Sequence, residues 1–213
     1  HFPIWHQEIE DIIVLKNNKG SEDNRVRKLD YSIQLSKLFY ERFINDEEIT
    51  LFSPHEVPEL YEAWGTEAFD ELYERAERKT SVKKKKVNAQ ELFFDILKER
   101  AETGRIYVMN IDHCNTHSSF KDRVYMSNLC QEITLPTDPI EHIDGSGEIA
   151  LCILSAINVG KLNYLEDLEE LCDLAVRGLE EIIDHQHYPV KAAEISTKAR
   201  RSLGIGYIGL AHY

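Results

Sequence analysis

The run Ser127-Asn128-Leu129-Cys130-Gln131-Glu132 carries more information about fold and chemistry than any other part of the sequence. If this run is extended, side chains alternate between two faces, so Asn128, Cys130 and Glu132 project together. An amide, a thiol and a carboxylate in one row indicate a reaction site, and a second thiol, Cys152, follows 22 residues after Cys130. The alternative is a buried strand with a core cysteine, since free cysteine is among the most buried residue types. The short Cys-x-Glu spacing leaves both interpretations open.

Length and composition predict a globular protein with one substantial core. The chain has 213 residues, of which 42% are hydrophobic, enough for a single core. Its net charge of −13 argues against non-specific binding to nucleic acid or anionic membranes. No apolar run approaches the roughly 20 residues that cross a bilayer, and no signal-peptide pattern opens the sequence. We therefore expect a cytoplasmic protein that binds neither nucleic acid nor membrane.

The cysteines and the two ends of the sequence carry further expectations. Without a secretory context, the four cysteines predict a reducing compartment and, at most, a transient disulfide with a chemical role. Both ends are apolar, at residues 1–5 and 203–213. We interpret these ends as cuts through a larger fold.

Hydrophobic periodicity predicts a helix-rich first half and buried strands after residue 104. Helices are predicted at residues 5–16, 30–45, 67–78 and 88–102, and a short helix is predicted to begin at Ser53-Pro54-His55-Glu56. Asn88 is the predicted N-cap of the last of these, and Gly104 its end. Later segments are predicted as strands at 106–111, 128–135, 148–154 and 203–210, a polar loop at 112–119, and helices at 165–185 and 192–202. This alternation predicts the α/β class.

Two other motifs match the sequence patterns of binding sites but lack the neighbouring elements that such sites need. Gly204-Ile-Gly206-Tyr-Ile-Gly209 matches a dinucleotide fingerprint, which needs a preceding strand and a helix that begins among the glycines. A basic, helix-like stretch precedes it instead, so we expect glycines packed closely in a strand. Residues 112–117 (Asp-His-Cys-Asn-Thr-His) concentrate metal-capable groups, but no second cluster completes a ligand set. We expect a loop of backbone-capping side chains there and no metal site.

The remaining candidates are predicted to be structural. The four lysines at 83–86 lack interleaved aromatics and indicate a solvated turn or helix start. Cys172 lies among leucines of a predicted helix and is expected in the core. His185 and His187, near the end of that helix, are expected to interact with its last carbonyl groups.

The row at 128–132 differs from these motifs because its groups form a coherent chemical set. A sulfur-centred radical at a cysteine can take a hydrogen atom from carbon. A carboxylate, with a usual pKa of about 4.3, is ionised at neutral pH and can accept a hydroxyl proton. An amide can orient substrate hydroxyls, and a second thiol can supply reducing equivalents by forming a disulfide.

At this point the sequence resembles the large (α) subunit of class I ribonucleotide reductase in its aerobic bacterial and phage form. The resemblance spans nearly the whole chain, because many motifs occur in the family's order. They are Trp5-His6, Val14 to Gly20, Asn24 to Arg27, Asp30-Tyr31, Ile49 to Pro54, Thr103 to Tyr107, Asp112 to Ser118, Ser127 to Glu132, Leu135 to Thr137, Gly147 to Gly160 and Leu203 to Gly206.

The resemblance implies a fold and a domain assignment. The family's fold is a ten-stranded α/β barrel of two five-stranded halves, with the radical-bearing cysteine on a loop inside it. Residues 1–213 would form a central segment of this catalytic barrel, incomplete at both ends. Within it, residues 1–104 would be mainly helical, and 105–213 would hold the strands and helices that carry the active-site residues. Residues 204–209 would be structural, and Cys114 would lie in a non-catalytic loop.

The resemblance also implies a role for each site residue. Cys130 would hold the thiyl radical that removes the ribose 3′-hydrogen, and Glu132 would accept the 3′-hydroxyl proton. Asn128 would hydrogen-bond the sugar hydroxyls, and the segment Asn128, Leu129, Cys130, Gln131 and Glu132 would line the substrate. Cys152 would be one of two redox thiols that finish as a disulfide. Its partner thiol would lie outside this sequence.

The implied activity is reduction of ribonucleoside diphosphates to 2′-deoxyribonucleoside diphosphates for DNA precursor synthesis. The implied partners are the rest of the large subunit, a metal-containing radical-generating small (β) subunit, and thioredoxin or glutaredoxin as reductant. No cofactor is expected on this segment, and allosteric nucleotide effectors would bind outside it. Two alternatives stay open: a segment inactive unless it associates with complementing chains, and a segment of the adenosylcobalamin-dependent class.

Overall fold

The computed structural model describes residues 1–142 and 145–212 and divides the chain into two compact units. Unit 1 is His1–Thr134 and unit 2 is Leu135–Tyr213. Both mix helices and strands, so the α/β prediction is confirmed. Within the described ranges, no helix combines the length and apolar character needed to cross a membrane.

Unit 1 alternates short strands with helices. Its strands are β1 Phe2–Pro3, β2 Ser32–Leu35, β3 Glu48–Phe52, β4 Lys84–Asn88 and β5 Tyr107–Asn110. Its α-helices are α1 Ile9–Ile13, α2 Lys37–Ile44, α3 Pro58–Ala63, α4 Phe69–Arg78, α5 Ala89–Thr103 and α6 Ile111–Thr116, and Glu22–Asn24 form a 3₁₀ turn. The first 104 residues therefore contain four strands beside five α-helices.

Residues 30–45, predicted as one helix, divide into a strand and a helix. β2 is the middle strand of the parallel sheet β1-β2-β5, with Ile33 opposite both Phe2 and Val108, and its four side chains are buried. Ser36 Oγ accepts a hydrogen bond from Phe39 N at 3.2 Å and starts α2. The prediction was wrong because a strand buried on both faces is not distinguished from a helix by periodicity alone.

The helix predicted at residues 5–16 is reduced to α1. Phe52 N donates to Trp5 O, and Gln7 N donates to Phe52 O, both at 2.8 Å. Because residues 5–7 make these bonds with the end of β3, their backbone is not available for a helix. A similar shift occurs later, where residues 53–56 form a turn closed by Glu56 N to Ser53 O, and α3 begins only at Pro58.

The lysine run at residues 83–86 is also different from its prediction. Residues from Lys84 onward form β4, antiparallel to β3, instead of a turn or a helix start. Lys85 and Lys86 remain exposed and pair with Glu10 and Glu48. The run is solvated as expected, because among the described strands β4 pairs only with β3 and its first three residues are exposed on both faces.

The helix α5 follows its sequence signals closely. Asn88 Oδ1 accepts hydrogen bonds from Gln90 N at 2.8 Å and Glu91 N at 3.0 Å, which satisfies two of the unpaired amides at the helix start. Gly104 ends the helix in the left-handed conformation, with φ 66°. The predicted cap and end of this helix are confirmed.

Buried aromatic rings join the elements of unit 1 around one core. Trp5 and Trp64 contact each other edge to face, at 6.0 Å between centroids, and Trp64 contacts Phe69 at 4.6 Å. Phe52 of β3 contacts Tyr73 of α4 at 5.5 Å. Such pairs add to the free energy gained by burying their area, and they fix the helices against the sheets that lead to the candidate site.

A half-buried ion pair ties α2 and α4 to β3. Arg42 donates two hydrogen bonds of 2.6 Å to the Glu77 carboxylate, and Thr50 Oγ1 donates a third of 2.6 Å. Burial raises the pKa of Glu77, but the bonds from Arg42 and Thr50 outweigh it and hold that pKa below its usual value. Because the folded-state pKa is depressed, this stabilisation is present above the usual pKa of 4.5 and lost as the pH falls through the lowered value.

We therefore expect Glu77→Gln to lower the free energy of unfolding at neutral pH by about 3 kcal/mol, because it leaves the Arg42 charge uncompensated. Denaturant unfolding at pH 7 checks this, with Glu41→Gln as the control. Glu41 pairs with Lys37 in an exposed i,i+4 contact, a kind worth about 0.3–0.5 kcal/mol. Equal losses in the two variants would contradict the assignment, and the Glu77→Gln loss should shrink as the pH falls below 4.5.

Unit 2 contains a parallel strand pair that packs against one helix on one face. Its elements are β6 Ile153–Asn158, α7 Asp167–His185, α8 Lys191–Arg200 and β7 Leu203–Ile208, with 3₁₀ turns at Val159–Lys161 and Leu210–His212. β6 and β7 pair in parallel with Ile153 opposite Leu203. Ile153 packs with Leu179 and Ile183 of α7 in a small buried cluster. Both helices and β7 lie close to their predicted positions.

The strand predicted at residues 148–154 begins only at Ile153. Before it, Ile149 N donates to Ala192 O at 3.2 Å, and the Glu148 carboxylate binds Arg200 of α8 and Asp138 N. The stretch therefore bonds to α8 and to a loop rather than to a strand neighbour. The predicted strand is therefore present only in its last two residues, Ile153 and Leu154.

Candidate active site

The predicted catalytic run forms a turn, not a strand. Gln131 N donates to Asn128 O at 3.3 Å, and Gln131 has a left-handed backbone with φ 65°. Ser127 Oγ also donates to Ile133 O at 2.5 Å. The prediction of an extended segment at 128–135 is therefore wrong, because serine and asparagine side chains offer the backbone local partners that compete with a strand ladder. The single row of alternating side chains is replaced by groups arranged around a turn.

Asn128 holds this turn with one end of its amide. Its Oδ1 accepts from Ile133 N at 3.2 Å and lies 3.2 Å from Ser127 Oγ, whose single hydroxyl hydrogen is directed at Ile133 O. A backbone N–H can only donate, so the atom that faces Ile133 N must be the oxygen. In the described part of the chain, Asn128 Nδ2 has no hydrogen-bond partner, so its N–H groups are available to a ligand.

The turn exposes the groups with reactive chemistry. Cys130 and Glu132 are exposed, whereas Asn128 is half-buried. Leu129 at the tip is 54% exposed. The Gln131 side chain is less exposed than those of Cys130 and Glu132. Its Nε2 is buried without a partner among the described residues, and the side chain lines a cleft together with Met109 and Cys114. A thiol, a carboxylate and an amide are therefore presented on one short, hydrogen-bonded loop.

Side chains from several elements fix the segment that leads into the turn. His1 Nε2 lies 2.8 Å from Ser127 O, and His1 Nδ1 lies 2.5 Å from Ser32 Oγ of β2. Asn115 of α6 pairs with the Val124 backbone through its Oδ1 at 2.9 Å and its Nδ2 at 3.0 Å. These two contacts tie both ends of residues 124–127 to the sheet and to α6.

Arg123 adds a further attachment to this segment. Its guanidinium donates to the carbonyls of Glu62 and Trp64 and stacks over the Tyr125 ring at 4.4 Å from the centroid. The polar residues that support the turn were missed in the sequence. No local signal identified them, since Asn115 lies in the polar stretch 112–119 and Arg123 directly follows Lys121 and Asp122.

Cys152 lies in unit 2, at the end of the irregular stretch before β6, and is exposed. It directly precedes Ile153, the buried first residue of β6, while its own side chain is exposed. Cys130 belongs to unit 1. Each thiol is therefore accessible within its own unit.

The metal-capable cluster at residues 112–117 is a helix, α6, and not the predicted loop. Asp112 Oδ2 accepts from Lys37 N at 2.6 Å, at the start of α2, and burial raises the pKa of Asp112. Cys114 is half-buried against the core of unit 1, and burial raises the pKa of its thiol as well. Within residues 1–142 and 145–212, no group of three or more His, Cys, Asp or Glu side chains has a geometry that would hold a metal ion.

The glycine motif near the end of the sequence is structural, as predicted. Gly204 and Gly206 lie inside β7, and no α-helix begins among the glycines. A Cβ at Gly204 would approach Leu154 Cδ2 of β6 to 2.6 Å, so the small residue allows close strand packing.

Two further predictions concern α7. His185 Nδ1 lies 2.9 Å from Glu181 O, which is a contact at the helix end of the predicted kind. Cys172 is half-buried.

Comparison with known proteins gives matches that cover the entire chain. The family model described as ribonucleotide reductase, barrel domain, matches residues 1–213. This chain belongs to the ribonucleotide reductase family. The ribonucleoside-diphosphate reductase subunit alpha of Haemophilus influenzae is 56% identical over 219 residues, covering 100% of this chain. Ribonucleoside-diphosphate reductase 1 subunit alpha of Escherichia coli is 52% identical, also over 100% of the chain.

The subunit alpha of Enterobacteria phage T4 is 44% identical and covers 99% of the chain. In each of these three comparisons the chain spans 29% of the relative's length. Membership in the reductase family confirms the resemblance drawn from the motifs. The parallel sheets β1-β2-β5 and β6-β7, with helices between their strands, agree with an α/β barrel domain.

Proposed function

We propose that this chain is a central catalytic segment of a ribonucleoside-diphosphate reductase large subunit, and that the turn at 128–131 is its radical site. The observation that carries the proposal is the turn itself. It presents an exposed thiol, an exposed carboxylate and an amide with unused N–H groups, within a chain that matches a reductase barrel domain throughout. Relatives named ribonucleoside-diphosphate reductase favour the diphosphate as substrate.

The first half of the proposed reaction uses the turn. A thiyl radical at Cys130 takes the ribose 3′-hydrogen atom, which forms the S–H bond and leaves the unpaired electron on C3′. Glu132 accepts the 3′-hydroxyl proton as general base, and the 2′-hydroxyl leaves as water with a proton. Asn128 donates from Nδ2 to the sugar oxygens, while the backbone from Asn128 to Glu132 lines the substrate.

The second half uses Cys152. Cys152 and a second thiol, supplied by another part of the enzyme, together give two electrons and two protons and finish as a disulfide. Cys130 then returns its hydrogen atom to C3′ and is again a thiyl radical. The sum is one ribonucleotide and two thiols converted to one deoxyribonucleotide, one disulfide and one water. Cys114 and Cys172 take no part, since both are half-buried and lie on helices, unlike the exposed Cys130 and Cys152.

The proposed partners follow from this chemistry. The remaining large-subunit sequence would complete the barrel and supply the second thiol and the allosteric nucleotide sites. A metal-containing small subunit would generate the radical, and thioredoxin or glutaredoxin would reduce the disulfide. The chain would therefore be active only in that assembly, and we place it in the cytoplasm, where this reductant system operates.

We expect Glu132→Gln to lower kcat of the assembled reductase by about 10²–10⁴-fold, because the amide cannot accept the 3′-hydroxyl proton. Formation of deoxyribonucleoside diphosphate from the ribonucleotide measures this directly. Glu67→Gln is the control, since Glu67 is an exposed carboxylate just before α4. Equal activity of the two variants would remove Glu132 from the mechanism.

A further inference from the structure

Gln34 is a polar residue in the middle of an apolar, buried strand. It is 3% exposed, and its neighbours in β2, Ile33 and Leu35, are 0% and 1% exposed. A buried primary amide lowers stability unless both its oxygen and its nitrogen find partners. The partners of Gln34 therefore show what its presence in the strand achieves.

Both ends of the Gln34 amide are satisfied by groups outside the sheet. Oε1 accepts from Trp64 Nε1 at 2.8 Å, and Nε2 donates to Tyr125 O at 2.7 Å. The indole N–H can only donate and a carbonyl can only accept, so these two partners fix the orientation of the amide. Met109 Sδ, on β5, lies 3.4 Å from the same Nε2.

The bond to Tyr125 reaches the segment that carries the proposed radical site. Tyr125 is three residues before Asn128, and the chain between them has no strand or helix of its own. β2 is paired on both sides, by β1 and by β5, so Gln34 sits at a rigid point of the sheet. The hydrogen bond from the Gln34 amide therefore fixes the backbone at Tyr125, just before the turn, relative to the sheet.

We propose that Gln34 is a positioning residue for Cys130: its amide holds the Tyr125 carbonyl and thereby sets where the turn presents the thiol. This inference rests on the proposed function of Cys130. Hydrogen-atom transfer needs the sulfur in close contact with the C3′ hydrogen, and a misplacement of about 1 Å can lower a rate about 10²-fold. Loss of the Gln34 bond is therefore expected to affect kcat more than substrate binding.

The test uses the assembled reductase with three variants. Gln34→Met removes both hydrogen bonds at similar volume. Gln34→Glu keeps the acceptor for Trp64 but replaces the donor to Tyr125 with an oxygen. Gln90→Met is the matched control, because Gln90 Nε2 also donates to a backbone carbonyl of unit 1, Phe43 O at 2.9 Å, away from the turn. The readouts are kcat and KM for the ribonucleoside diphosphate and hydrogen exchange of the peptide over residues 125–133.

We expect kcat to fall at least about tenfold in both Gln34 variants, with KM changed less than about threefold, and exchange at 125–133 to accelerate. Gln90→Met should change neither readout. If the Gln34 variants match Gln90→Met in kcat and exchange while Cys130→Ser is inactive, the positioning role is overturned. If Cys130→Ser is active, the proposed function fails, and the exchange data still decide whether Gln34 holds the segment. If Gln34→Met does not assemble, the same two measurements on Gln34→Glu decide.

Discussion

Cys130→Ser is expected to leave the assembled reductase without measurable deoxyribonucleotide formation. An O–H bond is much stronger than an S–H bond, so a serine at this position would not form the radical that takes the 3′-hydrogen. The expected fall is at least about 10³-fold, equivalent to more than about 4 kcal/mol of lost transition-state stabilisation. Product formation from a ribonucleoside diphosphate, with the reductant in excess, measures it.

The control for this variant is Cys114→Ser in the same unit. Cys114 is half-buried in α6, and burial raises the pKa of its thiol, which makes it a poor reactive centre. Its substitution should keep turnover within about threefold of the parent enzyme, with at most a modest loss of stability. Turnover at the parent rate in Cys130→Ser would disprove the radical role.

Cys152→Ser is expected to stop turnover for a different reason. Each product requires two electrons and two protons from a pair of thiols, and one remaining thiol cannot form the intramolecular disulfide. Assembled enzyme with this substitution should therefore form less than about one product per active site when thioredoxin or glutaredoxin is the reductant. Radical formation in the small subunit should be unaffected.

Cys172→Ser is the matched control for Cys152→Ser, because both residues lie in unit 2 and only Cys152 is exposed. It should retain continuous turnover. Sustained multiple turnovers by Cys152→Ser would show that Cys152 is not part of the redox pair. A Cys172→Ser enzyme that folds and assembles but has no turnover would also contradict the assignment.

The strong local signals in the sequence predicted their elements well. The Asn88 cap and Gly104 end of α5, and the long apolar stripe of α7, agree with the structure because these signals act within a few residues. The segments at 5–16 and 30–45 were misassigned because their strand pairing is with distant parts of the chain. The partners of Trp5 and Ile33 cannot be seen in a local pattern.

The chemistry of the side chains was enough to select the candidate residues from the sequence, but it did not predict their geometry. Asn128, Cys130 and Glu132 were chosen because their groups form a reactive set, but the alternating row does not exist. Local hydrogen bonds of Ser127 and Asn128 form a turn instead. The contact between Gln34 and Tyr125 joins residues 91 positions apart in the sequence. A local sequence pattern does not predict a contact at that separation.

Thiol labelling tests most directly whether this turn is the substrate site. Assembled reductase is treated with iodoacetamide with and without saturating ribonucleoside diphosphate, and modification of each cysteine is followed by mass spectrometry. We predict that the substrate slows alkylation of the exposed Cys130 strongly and leaves that of Cys172 unchanged. Equal alkylation of Cys130 with and without substrate would contradict the placement of the substrate at the turn.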